Sequence, residues 1–293
     1  MLSQTQDPEG CGRPRPAAPR TAPEPSMHPF LDHPGPLAFA HRGGDLGHPE
    51  NSLAAFAAAV DLGYRYLETD VHATADGVLL AFHDTRLDRV TDHTGAVAEL
   101  PWRTVGEARI GGTEPIPLLE DLLGSFPEAR FNIDVKAAPA VEPLVAAVRR
   151  TGAWDRVCVG GFSDSRLAAV RAAAGPRLAT SLGPREVARL RLRSLAGPLL
   201  PGRGAPWSGV CAQVPERHRG VRVVDRAFVR AAHRLGLQVH VWTVDEPTRI
   251  RSLLDLGVDG IMADRIDVLR DVLTERGCWT DSSTGSSTVQ GPS

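Results

Sequence analysis

Lysine is almost missing from this sequence. Its 293 residues contain one, Lys136, beside thirty-two arginines. Asparagine is nearly as scarce, at Asn51 and Asn132 only. With Ala, Gly, Pro and Arg so common, a bias in the encoding sequence explains both shortages. Lys136 is then either a chance survivor or a residue that arginine cannot replace. Charge of one sign is lacking as well. The 35 acidic and 33 basic residues leave a formal charge of −2, which argues against a nucleic-acid binder held by a broad basic face. No apolar run approaches the roughly 18 residues of a membrane helix. Residues 1–36 lack the apolar stretch of a secretory signal, so the expected location is the cytoplasm. Cys11, Cys158, Cys211 and Cys278 form no CxxC pair, which speaks against a disulfide framework or a zinc site. No internal repeat is found.

What remains is a globular composition, 42% hydrophobic and 5% aromatic, in a chain long enough to bury a sizeable core. Residues 1–34, rich in Pro and Arg, and residues 277–293, rich in Ser, Thr and Gly, read as disordered tails. Between them, residues 35–276 alternate short apolar runs with helical patterns, which predicts a parallel sheet covered by helices. Strands are expected at 37–42, 66–71, 78–83, 130–135, 157–162, 178–182, 209–214, 238–243 and 258–262. Helices are expected at 50–62, 164–174, 225–235 and 247–256, stopped by Gly63, Gly175, Gly236 and Gly257. Nine strands are one more than a (β/α)8 barrel uses. The six residues between 71 and 78 are too few for a parallel crossover, and Asp76-Gly77 suits a hairpin. The expected fold is therefore α/β, a TIM-like (β/α)8 barrel with an irregular β-hairpin after the second strand. An open doubly wound sheet is the alternative, but no Gly-rich phosphate loop follows the first strand.

Polar residues gather at the ends of these strands: His41 and Arg42, Glu68 and Asp70, His83 and Asp84, Asp134 and Lys136, and Trp242. In a barrel the carboxyl ends converge on one face, where active sites are built. Glu68 and Asp70 point to the same side of a strand, and two like charges there repel unless a cation or a proton intervenes. Asp134 and Lys136 also share a side, where a simple salt bridge is the plain alternative to a functional pair. A histidine that ends a strand is ordinarily a satisfied structural residue, and Trp242 would ordinarily be core. Asp45, His48, Asp88, Asp92 and His93 fall in loop-like stretches and read as solvated. Together the group suits a divalent metal and work on an anion.

The run AHRGGDLGHPENSLAAFAAAVDLGYRYLETDVHATADGVLLAFHD, residues 40–84, resembles the glycerophosphodiester phosphodiesterase family. The shared pattern is HRG, then PEN with Ser or Thr, a Glu-x-Asp strand, and a DG turn leading to HD. IPLLEDLL at 116–123, RFNIDVK at 130–136, GGFS at 160–163, VWTVDE at 241–246 and DGIMAD at 259–264 follow in order. The resemblance covers roughly residues 37–270. It implies a TIM-like barrel in which Glu68, Asp70 and Asp134 hold one divalent cation, Mg2+ or Ca2+. It gives His41 and His83 the acid and base roles, lets Arg42 and Lys136 contact the phosphate, and has Trp242 line the site. Glu50 stands as a supporting residue, and Asn51 fixes its loop. Two departures stand out. The family usually has Glu where Asp134 stands, and Thr-Asp where this chain has Ala263-Asp264.

The implied reaction is hydrolysis of a small-molecule glycerophosphodiester to sn-glycerol 3-phosphate and an alcohol. Either the glycerol 2-hydroxyl attacks first, through a cyclic phosphate, or water attacks directly. Lysophospholipase D-type hydrolysis and a non-catalytic phosphate-binding barrel are the alternatives. No nucleic acid and no membrane span are expected as partners. Head-group choice falls to loops such as 85–115 and 183–208, which carry no readable motif, and oligomeric state stays open.

Overall fold

A computed structural model of the protein describes residues 27–196 and 206–280. The strand β1 (Leu37–His41) leads to helix α1 (Leu53–Asp61), and β2 (Tyr66–Ala73) turns back through β3 (Leu79–Ala81). After α2 (Leu119–Ser125), strand and helix alternate: β4 (Arg130–Val135), α3 (Val141–Thr151), β5 (Val157–Gly160), α4 (Asp164–Ala174), β6 (Ala179–Thr180) and α5 (Pro184–Ala196). The chain continues with β7 (Cys211–Pro215), α6 (Arg226–His233), β8 (Gln238–Trp242), α7 (Pro247–Leu256), β9 (Gly260–Ala263) and α8 (Ile266–Glu275). The parallel strands lie in the order β6-β5-β4-β2-β1-β9-β8-β7. A parallel bridge from Ser181 to Cys211 brings the two ends of the sheet together, with Leu182 N donating to Cys211 O at 2.8 Å. The expected (β/α)8 barrel is what the chain forms.

The ninth strand is the hairpin. β3 runs antiparallel to β2, pairing Val71 with Ala81 and Ala73 with Leu79. Gly77 takes the left-handed conformation that closes the turn, at φ 81°. Helix ends follow their local chemistry. Ser52, Ser163, Asp225 and Glu246 each accept a backbone N–H at the N-terminus of α1, α4, α6 and α7. Capping by Ser52 is why α1 begins at Leu53 and not at the expected residue 50.

Strand parity sorts the interior. Leu37 and Phe39 of β1, Tyr66 of β2, Cys158, Ala179, Cys211 and Met262 pack together inside the barrel, while the alternate residues, such as Leu67, Val71, Ile133 and Val159, belong to the larger core that includes the helices. The packed domain begins before residue 35. Phe30 and Leu31 are buried among the inward-facing apolar residues, and Tyr66 Oη donates to Phe30 O at 2.8 Å. Burying apolar side chains outweighs the local Pro-rich composition that reads as tail. At the other end, Trp279 stacks edge-on against Tyr64 at 5.0 Å, so packing passes residue 276. The remaining tail residues, 1–26 and 281–293, lie outside the described residues. Cys158 and Cys211 are buried free thiols.

Both tyrosines of the sequence, Tyr64 and Tyr66, are buried. Burial pushes Tyr64 well up and Tyr66 to about 12. A phenol raised in this way stabilises the fold below its ordinary value near 10, and that contribution fades as pH rises through the folded value. Ultraviolet titration of the folded protein should therefore show no tyrosinate at pH ~10, where free tyrosine is half ionised. A phenol ionising there while the fold persists would contradict this packing.

Candidate active site

Parity also delivers the polar groups. Counting inward along β2 from Tyr66 gives Glu68, Asp70 and His72, and along β4 gives Asn132 and Asp134. Register then sets His41 opposite Glu68, and Asp70 directly opposite Asp134. All three carboxylates are buried. Burial, and then the charge of Asp70, push Glu68 up to about 8. Burial also raises Asp134, although Lys136 works against it.

Cations answer this cluster. Lys136 Nζ lies 2.7 Å from Asp70 Oδ1 and 2.7 Å from Asp134 Oδ2. Burial opposes its charge, but Asp134 and Asp70 outweigh burial and hold the ammonium above the ordinary lysine value. Arg42 stands in a left-handed conformation, φ 52°, ahead of Gly43 at φ 91°. A Cβ on Gly43 would fall 2.7 Å from Ala55 Cβ, so this turn needs glycine to bring β1 against α1. The turn aims the Arg42 backbone N–H at Glu68 Oε2, 3.2 Å away, and sets Nε 3.2 Å from Asp70 Oδ2. Asn51 steadies the neighbouring loop, with its N–H on Arg42 O and its Oδ1 accepting from Thr69 Oγ1.

The two histidines share one arrangement. His41 Nδ1 lies 2.6 Å from Asp264 Oδ1, and His83 Nδ1 lies 2.6 Å from Asp84 Oδ1. Both aspartates have lowered pKa values. Burial alone would raise Asp264, but its bond to His41 prevails; the Arg89 guanidinium takes Asp84 to about 2. An ionised carboxylate only accepts, so each imidazole carries its proton on Nδ1 and leaves Nε2 for exchange. His41 Nε2 lies 3.8 Å from Glu68 Oε2. Burial would lower the His41 pKa, but Glu68 and Asp264 more than offset it. His72 Nε2, 3.0 Å from His83 O, donates to that carbonyl from the inward side of β2.

Trp242, at the end of β8, meets Phe162 edge-on at 5.5 Å, and Phe162 sits over Lys136 Nζ at 5.7 Å. Every residue singled out from the sequence is thus joined to this one end of the barrel by contact or register. Among the described residues, however, no three His, Cys, Asp or Glu side chains converge at metal-binding spacing; Lys136 bridges two of the three carboxylates instead. The donor set still fits a hard cation. Asp134 Oδ1 is buried without a hydrogen-bond partner and Asp70 Oδ2 meets only the Arg42 Nε ion pair, and a dication prefers such carboxylate oxygens as ligands.

Against known proteins, the profile of the glycerophosphoryl diester phosphodiesterase family matches residues 41–268. The chain belongs to that family. It is 46% identical to Probable glycerophosphodiester phosphodiesterase 2 of Mycobacterium tuberculosis, over 85% of this chain and 95% of that one. It is 27% identical to a mouse lysophospholipase D, over 80% and 85% of the two chains. A solved chain from Silicibacter pomeroyi DSS-3 superimposes at a TM-score of 0.70 with 26% identity, covering 86% of this chain and 98% of that one. Membership makes this barrel a glycerophosphodiester phosphodiesterase.

Several groups at the site escaped sequence reasoning. Asp264 sits 223 residues from His41 and reaches it because β9 pairs with β1. Arg89 lies in the excursion between β3 and α2 that reads as solvated loop. That segment has its own small core, including Phe82, Leu87, Val97 and Ile110. Of the second featureless stretch, 184–196 is α5 and 197–205 lies outside the described residues. Asp84, by contrast, stands beside His83 among the strand-end residues that the sequence offers.

Asp84 supplies a pH test. Its carboxyl is held at about 2, chiefly by Arg89, so its stabilising contribution is present above the ordinary carboxylate value and fades as pH falls through about 2. With Arg89 half-exposed, that contribution is about 1 kcal/mol or less. Acid unfolding of Asp84→Asn should lose less stability between pH ~4 and ~2 than the parent. Equal slopes would contradict the ion pair.

Proposed function

We propose that this site hydrolyses glycerophosphodiesters to sn-glycerol 3-phosphate and an alcohol, by acid–base catalysis from His41 and His83 around one divalent cation. The observation that carries the reading is the matched setting of the two imidazoles, each with an aspartate on Nδ1 and Nε2 left for proton exchange. A phosphodiester is an anion that resists nucleophiles. One imidazole removes the nucleophile's proton and the other donates to the leaving alkoxide, a pairing typically worth ~10²–10⁴-fold in rate. Glu68, Asp70 and Asp134 would hold the cation, Mg2+ or Ca2+, which when bound supplies hard positive charge to the phosphate and acidifies a bound hydroxyl or water. Arg42 offers the phosphoryl oxygens a planar fork and Lys136 a compact charge. Trp242 lines the site. The glycerol 2-hydroxyl and water are the two candidate nucleophiles; heavy-oxygen water and a search for the cyclic phosphate distinguish them.

A second reading, hydrolysis of an acylated lysophospholipid, draws on one feature. Phe162 is 61% exposed beside Trp242, an apolar surface at the mouth that a chain could meet. The ratio of turnover on lysophosphatidylcholine to that on glycerophosphocholine decides between them. The proposed location is the cytoplasm; no helix among the described residues is long and apolar enough to cross a membrane.

A metal-screened assay across several glycerophosphodiesters, read as glycerol 3-phosphate, should give turnover that a chelator abolishes and Mg2+ or Ca2+ restores. His41→Ala and His83→Ala should each fall ~10²–10⁴-fold. Lys136→Arg should lower activity although charge is kept, because the larger planar guanidinium does not fit the gap in which a single ammonium nitrogen lies 2.7 Å from both Asp70 and Asp134. No turnover with any metal would sink the assignment. Full activity in Lys136→Arg would return that lysine to chance.

A further inference from the structure

Arg89 comes from the excursion between β3 and α2, a segment to which the proposed chemistry gives no part. Its guanidinium nevertheless makes four hydrogen bonds to two carboxylates. Nε and NH2 donate to Asp84 Oδ2 and Oδ1 at 2.5 and 3.1 Å. NH1 and NH2 donate to Glu50 Oε2 and Oε1 at 3.1 and 2.6 Å. Asp84 accepts from His83 Nδ1 at 2.6 Å, and Glu50 accepts from Arg42 NH1 at 3.2 Å. A continuous path therefore runs His83–Asp84–Arg89–Glu50–Arg42. Two bidentate pairs fix a guanidinium in both position and tilt.

The backbone around Arg89 is fixed as well. Leu87 is fully buried in the excursion's core, and Val90 packs against that core. Thr91 Oγ1 donates to Leu87 O at 2.8 Å, and Gly111 N donates to Val90 O at 2.8 Å. A half-exposed ion pair contributes little to stability. So much definition around one surface side chain calls for a different role.

We infer that Arg89 is a positioning residue: it locks Asp84 so that His83 keeps its proton on Nδ1, and through Glu50 it holds Arg42 in place beside the carboxylates. The excursion is then part of the framework of the site and not merely its rim. This rests on the reading of His83 as an acid–base group, so the test has an arm that needs no turnover.

The full chain is compared with Arg89→Ala and with Arg89→Lys, which keeps the charge but cannot fork to both carboxylates and serves if the alanine variant does not fold. Ring ¹⁵N shifts of His83, assigned by their loss in His83→Gln, are read at pH 8 without substrate. The parent should show the Nδ1–H tautomer and the variants a mixture. In the folded variants kcat should fall ~10–100-fold, as for other groups that orient a histidine through its second nitrogen, with a smaller change in KM. Added guanidinium should recover part of the activity of Arg89→Ala. An unchanged His83 spectrum overturns the inference, as does an unchanged kcat in an active protein, or a loss that guanidinium does not recover. Should the parent turn over no substrate while the His83 spectrum changes as stated, the proposed reaction falls and the positioning role stands.

Discussion

Asp70 and Asp134 face each other across two adjacent parallel strands, and neither can move away. Their positions are set by backbone register, and their side chains point inward because their neighbours, Thr69, Val71, Ile133 and Val135, point out. Strands pair about 4.8 Å apart, so two carboxylates meet in a buried corner, with Glu68 one inward step below. Like charges so placed cannot all stay ionised unaided. The rest of the site answers that constraint. Lys136 bridges the pair, Arg42 turns back through a left-handed backbone to reach Glu68 and Asp70, and Glu68 itself is pushed toward the protonated form. Lys136 is the sole lysine of the chain. A compact ammonium can sit between two carboxylates where a planar fork would splay them, which is a physical reason for one lysine to persist in an arginine-rich sequence.

A barrel tolerates this charge because its interior is layered. The residues one or two inward steps below the carboxylates are Tyr66, Phe39, Leu37, Cys158 and Met262, joined by Phe30 and Leu31 from the segment that precedes β1. Asn132, Gln213 and His240 form the transition, with Gln213 donating to Asn132 Oδ1 at 2.6 Å. Polarity therefore rises along the barrel axis toward the carboxyl ends of the strands. A slip of one residue in β2 would exchange Glu68 and Asp70 for Leu67 and Thr69 and place charge among the helices. The buried aromatic floor resists that slip, since Tyr66 would leave its bond to Phe30 at the same moment.

Much of this was legible in the sequence because it is local. The Asp76-Gly77 hairpin, the glycine stops and the two-residue spacing of Glu68 and Asp70 each sit within a few residues of what they specify. Boundaries set by distant packing were not legible. Phe30 and Trp279 lie in stretches whose composition reads as tail, and only the barrel floor and Tyr64 reveal them as core. His41 was identifiable, but its partner Asp264 depends on β9 returning to lie beside β1. Arg89 has no such local signal: its two carboxylates come from the loop before α1 and the end of the hairpin, which the pairing of β1 with β2 and of β2 with β3 brings together.

The two histidines thus reach the same geometry by different means. The carboxylate of His41 is a product of barrel closure, carried on the last strand and held where Asp245 Oδ1 accepts from Asp264 N at 2.7 Å. The carboxylate of His83 is its immediate neighbour, and a neighbour beyond the end of a strand orients nothing until something fixes it. Phe82 N donating to Asp70 O at 2.9 Å anchors the backbone just before, and His72 holds the His83 carbonyl, but the carboxylate itself is held from the excursion. One imidazole depends on the pairing of the last strand with the first, the other on an excursion with a separate small core. Local opening costs less where fewer apolar groups are buried. The His83 side of the site is therefore the part that can adapt or fail without the barrel opening.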